Sequence, residues 1–260
     1  MTSHRVIPVL LHCNDSLVKT RNFEDPTYIG DPINAIRIFN EKEVDELVLI
    51  DIDVGKRGLG PNLRLIEEVA AECLMPLAYG GGIRSVEDAY HVIGLGVEKV
   101  VLHSAALLDI EIVHECSQTL GSQAVTLALD VAVDDAGKPV LLDATRRCLL
   151  PQRFWLEHVR AAVDAGVGEV LFTCVHKEGT MDGPDLALIQ ELSAAIKVPL
   201  IAHGGVGSVG DIVEAIQSGA DAVAVGSFVV FRNKTSSVLI SYPDLADIAK
   251  RLGGGTSDIR

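Results

Sequence analysis

Short apolar runs alternate with amphipathic stretches along this whole chain. Eight runs rich in Val, Ile, Leu and Ala, at residues 6–11, 46–51, 76–79, 99–102, 124–130, 169–174, 199–202 and 222–225, are bounded by turns. They read as mostly continuous rather than alternating with polar residues, the pattern of parallel strands buried on both faces. Amphipathic stretches lie between them at 32–42, 63–73, 86–93, 154–164, 186–196, 209–217 and 243–251. Asp31, Ser85 and Ser208 stand where N-caps belong, and Pro32 suits a first helical turn. Strand and helix in alternation predict an α/β fold of parallel βα units.

Part of the pattern is written twice. Gly81-Gly82-Ile83-Arg84-Ser85 returns as Gly204-Gly205-Val206-Gly207-Ser208, and Ser104 returns as Ser227, both at an offset of 123 residues. An echo spaced by nearly half of 260 residues marks a half-domain rather than a solenoid unit. Two four-unit halves make a (β/α)8 (TIM) barrel, a fold of about 250 residues. A single domain over 1–260 is expected, with half-barrels near 1–123 and 124–250 and a flexible tail over 253–260.

Composition narrows the chemistry. The net charge of −14 disfavours nucleic acid and anionic membranes as partners, so any phosphate site must be local. The cysteines (Cys13, Cys73, Cys116, Cys148, Cys174) are odd in number and scattered without a CxxC pair, which fits a reduced, cytoplasmic setting. No signal peptide is expected ahead of the first strand, and no apolar run is long enough to span a bilayer. No cofactor motif is present.

Three constellations carry candidate chemistry. Gly81, Gly82 and Ser104 form one candidate phosphate site, and Gly204, Gly205, Gly226 and Ser227 the other, to which Gly179-Thr180 adds donors. Glycine turns let backbone N–H groups approach an anion, although a lone Gly-Gly is more often just a tight turn. At the opposite end, Arg5, Glu46, Lys99 and Glu169 each stand at the start of a strand. Spacing alone makes them a stabilising salt-bridge ring. Asp130, at the C-terminal end of the fifth strand, is the acid/base candidate. Asp51 and Asp53 end the second strand similarly, and one of them is expected to cap the turn that follows. His12, His103, His176 and His203 follow four strand ends, yet no HxxxH spacing or accompanying Cys supports a metal ion, and none is expected. The long connections 13–30, with Lys19 and Arg21, and 131–152, with Asp143, Arg146 and Arg147, read as active-site lids.

Arg5-Val6-Ile7-Pro8-Val9-Leu10, Val18-Lys19, Asn22-Phe23, Gly30-Asp31-Pro32, Gly80-Gly81-Gly82-Ile83, Glu178-Gly179-Thr180 and Gly204-Gly205 together resemble the cyclase subunit of imidazole glycerol phosphate synthase (HisF), over nearly the whole chain. That resemblance implies a lyase-type barrel that takes ammonia from a glutaminase docked on its N-terminal face, with Lys19 and Asp130 in the catalytic machinery. It implies an ammonia gate at Arg5, Glu46, Lys99 and Glu169, partner contacts at Glu98 and Gln123, and a doubly phosphorylated substrate.

One departure stands out. The family places aspartates at the ends of strands one and five, and the first is Leu11 here; His103 also replaces a usual Asn. His12 is a poor substitute, because adjacent strand residues point to opposite sides. Leu10-Leu11 with Asp25-Pro26-Thr27-Tyr28 is similar to the HisF-like paralogue of acetamidino-sugar biosynthesis, which works with a glutaminase and an ATP-using amidotransferase. Three readings therefore stand: an ammonia-handling amidination subunit, a histidine-pathway cyclase, and a non-catalytic ammonia-conducting scaffold. A phosphoribosyl isomerase on a sister barrel also wants the missing aspartate, so Leu11 counts against it.

Overall fold

The computed structural model describes residues 4–151, 154–232 and 237–253. In chain order the elements are β1 (Arg5–Cys13), β2 (Ser16–Arg21), β3 (Glu24–Gly30), α1 (Pro32–Glu41), β4 (Leu47–Asp51), α2 (Leu63–Glu72), β5 (Leu77–Gly80), α3 (Val86–Gly94), β6 (Lys99–Leu102), α4 (Ser104–Leu108), α5 (Glu111–Leu120), β7 (Val125–Val133), β8 (Pro139–Asp143), β9 (Cys148–Leu150), α6 (Trp155–Asp164), β10 (Glu169–Cys174), α7 (Leu186–Ala195), β11 (Leu200–His203), α8 (Val209–Gln217), β12 (Ala222–Val225), α9 (Ser227–Val230) and α10 (Leu245–Arg251). The tail expected to be flexible lies, beyond Gly253, outside the described residues.

Strands β1, β4, β5, β6, β7, β10, β11 and β12 pair in parallel with their neighbours, and β12 returns to β1 to close a (β/α)8 barrel. Closure sorts the apolar residues into two layers. An outer layer around Ile36, Phe39, Tyr79, Leu127 and Phe172 packs strands against helices. A smaller inner layer, from Ile7, Val9 and Leu11 round to Ala222 and Ala224, fills the barrel. Asp31, Ser85 and Ser208 cap α1, α3 and α8 through their side chains, as their residue types predict. Helix α5 is absent from the sequence reading, although Ile112, Val113 and Cys116 recur on one buried face.

The two long connections are not irregular lids. Strand β1 overruns the barrel to Cys13 and folds back onto β2, pairing Leu11 with Val18 and Cys13 with Ser16. Strand β7 overruns to Val133 and pairs with β8, which pairs with β9. Beyond the barrel rim a strand loses its neighbours, so its backbone groups need new partners, and an antiparallel return supplies them. The turn signals were present: Asn14-Asp15 adopt φ 49° and 59°, the conformation of a two-residue hairpin turn. Asn22-Phe23 repeat it at φ 54° and 63°. Phe23 is an unusual residue there, and the buried Glu178 holds the turn by accepting from Thr20 Oγ1 at 2.9 Å and Phe23 N at 3.0 Å.

The 123-residue repeat reaches further than the sequence motif. Gly81 sits against the carbonyl of Asp51, and Gly204 against that of Cys174. Gly82 packs on Gly60-Pro61, and Gly205 on Gly183-Pro184. A Cβ on Gly82 (φ 73°) would lie 2.6 Å from the Gly60 backbone, and one on Gly205 (φ 92°) 2.2 Å from the Gly183 carbonyl. Backbone-on-backbone packing thus demands these glycines in both halves. Gly82→Ala or Gly205→Ala should each cost about 2 kcal/mol or more in urea unfolding, from left-handed strain plus overlap. Gly94→Ala, at the end of α3 with open space around it, should instead add about 0.4–1 kcal/mol.

Candidate functional site

The C-terminal mouth of the barrel opens into a cavity of about 800 Å³. Its floor is apolar, formed by Val9, Leu11, Ile50, Val101, Ala128 and Leu171. Leu11 therefore stands in this floor, while His12 turns outward and meets Asp51 Oδ2 at 3.0 Å. Asp51 Oδ1 accepts from the N–H groups of Asp53 and Val54, so Asp51 is the turn cap of the pair. Asp53 pairs with Arg57 at the surface.

Asp130 and His103 face the same cavity. Their side chains approach to 3.3 Å, His103 Nε2 to Asp130 Oδ2. Burial pushes the Asp130 carboxyl above the ordinary range, and His103 and a hydrogen bond from Thr173 only partly oppose it. His103 Nδ1 lies 3.2 Å from Ser104 Oγ, which lies 2.7 Å from Thr145 Oγ1 in the turn after β8. His103 Nε2 lies 3.2 Å from the Leu142 carbonyl, so the hydrogen-bonded run from His103 through Ser104 to Thr145 reaches the rim while Asp130 only approaches it. Neither Thr145 nor the role of Glu178 was legible in sequence, because each depends on a partner brought in from a distant segment.

Each half brings its glycine turn and serine turn to one depression. Gly81, Gly82 and Ser104 border the large cavity; Gly179, Gly204, Gly205, Gly226 and Ser227 border a second, much smaller one. Thr180 is not among the residues lining it, and its hydroxyl donates to the Lys177 carbonyl at 2.8 Å. The helices after the glycine turns already carry their own anions. Asp88 accepts from Arg84 N at 2.9 Å and Asp211 from Gly207 N at 2.8 Å. The termini of α3 and α8 are therefore internally satisfied.

Lys19 lies on β2 rather than on a free loop. It is buried, donates to the Val9 carbonyl, and does not line the cavity that holds Asp130. Burial holds its ammonium down at about 8, against Glu178. His203, near Lys19 and Gly226, is held down at about 3 by burial and then by Lys19, so it is neutral. The four strand-end histidines do not converge: His176 turns to Cys174 and Asp185, away from the other three.

At the N-terminal end, Arg5, Glu46, Lys99 and Glu169 close into a ring. Arg5 bonds Glu46 and, at 3.0 Å, Glu169. Lys99 Nζ reaches Glu46 at 2.8 Å and Glu169 at 2.9 Å. Burial alone would raise the Glu169 carboxyl, but Lys99 and Arg5 outweigh it and hold it below the ordinary range. Glu98, immediately before β6, and Gln123, two residues before β7, are exposed at this end of the barrel. Among the described residues no helix is long and apolar enough to cross a membrane.

Comparisons with known proteins identify the family. A family model described as histidine biosynthesis protein matches residues 5–235. The chain is 44% identical over 247 residues to a Pseudomonas aeruginosa protein provisionally named imidazole glycerol phosphate synthase subunit hisF2, covering 94% of this chain and 98% of that one. It is 40% identical over 259 residues to a provisionally named subunit hisF3 from Vibrio vulnificus, with 97% of each chain covered. It is 35% identical over 253 residues to the imidazole glycerol phosphate synthase subunit HisF of Exiguobacterium sibiricum, covering 97% and 98%. The chain belongs to the histidine biosynthesis protein family, as a HisF-type paralogue of the imidazole glycerol phosphate synthase subunits.

Proposed function

We propose that this barrel receives ammonia from a glutaminase docked on its N-terminal face and passes it to a phosphorylated substrate at the other mouth, in acetamidino-sugar biosynthesis. The observation that carries the reading is the sequence of layers along the barrel axis. A paired charged ring lies at the bottom, then an apolar interior, then an open mouth where Leu11 fills an aspartate's place. Neutral ammonia crosses such an interior without protonation, and the ring admits it when its pairs part. Glu98 and Gln123 are the proposed partner contacts. An ATP-using amidotransferase would complete the amidine in this reading, and Ser104 and Ser227 open the turns that hold phosphate.

A histidine-pathway cyclase is the second reading, favoured by the Asp130–His103 approach of 3.3 Å. There His103 would take the proton-transfer duty that Leu11 cannot perform. A barrel that only conducts ammonia is the third outcome.

Charge reversal at Lys99 or Glu169 should impair glutamine-dependent turnover while sparing turnover with ammonium salt. Equal loss with both nitrogen sources would mean a purely structural ring. The purified chain with ammonium salt should leave the phosphoribulosyl formimino substrate of the histidine pathway unconsumed, and Leu11→Asp should gain imidazole glycerol phosphate formation. Normal turnover by the unmodified chain would establish the cyclase instead. Asp130→Asn should lower any chemistry of the barrel about 10²–10⁴-fold. It should also raise Tm at neutral pH, by about 2–4 °C for each kcal/mol recovered. Because the Asp130 carboxyl is raised in the fold, its ionised form costs stability as pH climbs through the folded value. The advantage of Asn should therefore vanish at acid pH, which thermal melts across pH would check.

A further inference from the structure

The two halves of the barrel act as internal controls for one another. Positions 51, 53 and 62 of the first half correspond, at the offset of 123, to 174, 176 and 185 of the second. The correspondence is structural as well, since Gly81 rests on the Asp51 carbonyl as Gly204 rests on that of Cys174. In the first half the three residues are Asp51, Asp53 and Asn62, and local structure accounts for them. Asp51 caps the turn after β4, Asp53 pairs with Arg57, and Asn62 caps α2 by accepting from Leu65 N at 3.2 Å. In the second half they are Cys174, His176 and Asp185. Asp185 repeats the helix cap with Oδ1, accepting from Leu188 N at 3.1 Å. An asparagine suffices for that duty, as Asn62 demonstrates. The other carboxylate oxygen, Oδ2, lies instead 3.4 Å from His176 Nε2. Both ring nitrogens of His176 lie 3.5 Å from Cys174 Sγ.

We propose that Cys174, His176 and Asp185 bind a divalent transition-metal ion of the zinc class, tying the end of β10 to the start of α7. The donor atoms all fall within 4.8 Å of one another. Zinc bonds of about 2.0–2.3 Å at tetrahedral angles separate neighbouring donors by about 3.3–3.6 Å, the spacing of His176 to Asp185 and of His176 to Cys174, while the Cys174–Asp185 pair lies within 4.8 Å. Sγ is equidistant from both ring nitrogens, so the imidazole turns about its Cβ–Cγ bond to aim Nε2 at the ion. Thiolate, imidazole and carboxylate together select zinc over magnesium or calcium. His176 and Asp185 are half-buried, which leaves an entry path and room for water as fourth ligand. Binding exchanges the thiol proton of Cys174 for the ion, so one proton is released per thiolate formed. No CxxC pair marks this site in sequence; the Cys174-Val175-His176 step is its local signal, and Asp185 joins only through the fold.

The test is titration of the chelator-treated full chain with Co²⁺, followed by displacement with Zn²⁺. A sulfur-to-cobalt charge-transfer band with the intense visible bands of four-coordinate cobalt is expected. Cys174→Ser should abolish the charge-transfer band. Asp185→Asn, which keeps the helix cap, should weaken Zn²⁺ about tenfold or more. Cys148→Ser, an exposed thiol elsewhere, should change nothing. Absence of the band in the unmodified chain, or its survival in Cys174→Ser, would mean the three side chains form only a hydrogen-bonded chain. None of these readouts uses the barrel's activity, so they stand apart from the reading of its function.

Discussion

Closure of eight parallel strands on themselves is the constraint from which the rest follows. A closed barrel leaves no free strand edge, and every inward side chain must share one narrow interior. Small and branched residues such as Ala78, Val101, Ala222 and Ala224 fit there. Charges fit only when paired, because a buried ion without a partner is costly. Arg5, Glu46, Lys99 and Glu169 meet that condition by each touching two opposite charges, with Thr126 Oγ1 adding a bond to Glu169 at 3.0 Å. The same closure buries Asp130 at the opposite mouth, and burial raises its carboxyl against the opposing pull of His103 and the Thr173 hydrogen bond.

The halves share their scaffold and differ in their chemistry. Backbone contacts at Gly81/Gly204 and Gly82/Gly205, and the caps Ser85/Ser208 and Asn62/Asp185, all repeat at one offset. These are conditions for a βα unit to pack on its neighbour, so they hold wherever the unit occurs. The polar groups at the mouth do not repeat. Asp130, His103 and Thr145 gather over the first half, whereas the buried Lys19 sits by the small depression of the second.

How much was legible followed the range of the interactions. Strands at 99–102, 169–174 and 222–225 fall where the apolar runs place them, because a buried parallel strand needs a local apolar run and little else. The caps were legible for the same local reason. The extensions after β1 and β7 read as loops in sequence, since what makes them strands is a barrel edge that only closure creates. Lys19 was placed on a loop and is instead buried beside Val9, at a depth no spacing reveals.

The sequence by itself determined the fold class, the two-fold repeat, the charges available for a ring and the absence of an aspartate at position 11. Each is written in residues close together or in a fixed period. Only the tertiary structure decided that four rim charges close into one ring, that Asp130 meets His103, and that Cys174, His176 and Asp185 face one another. The ring and the Asp130–His103 pair join strands far apart in the chain, and Asp185 comes back to Cys174 and His176 only through the turn between β10 and α7.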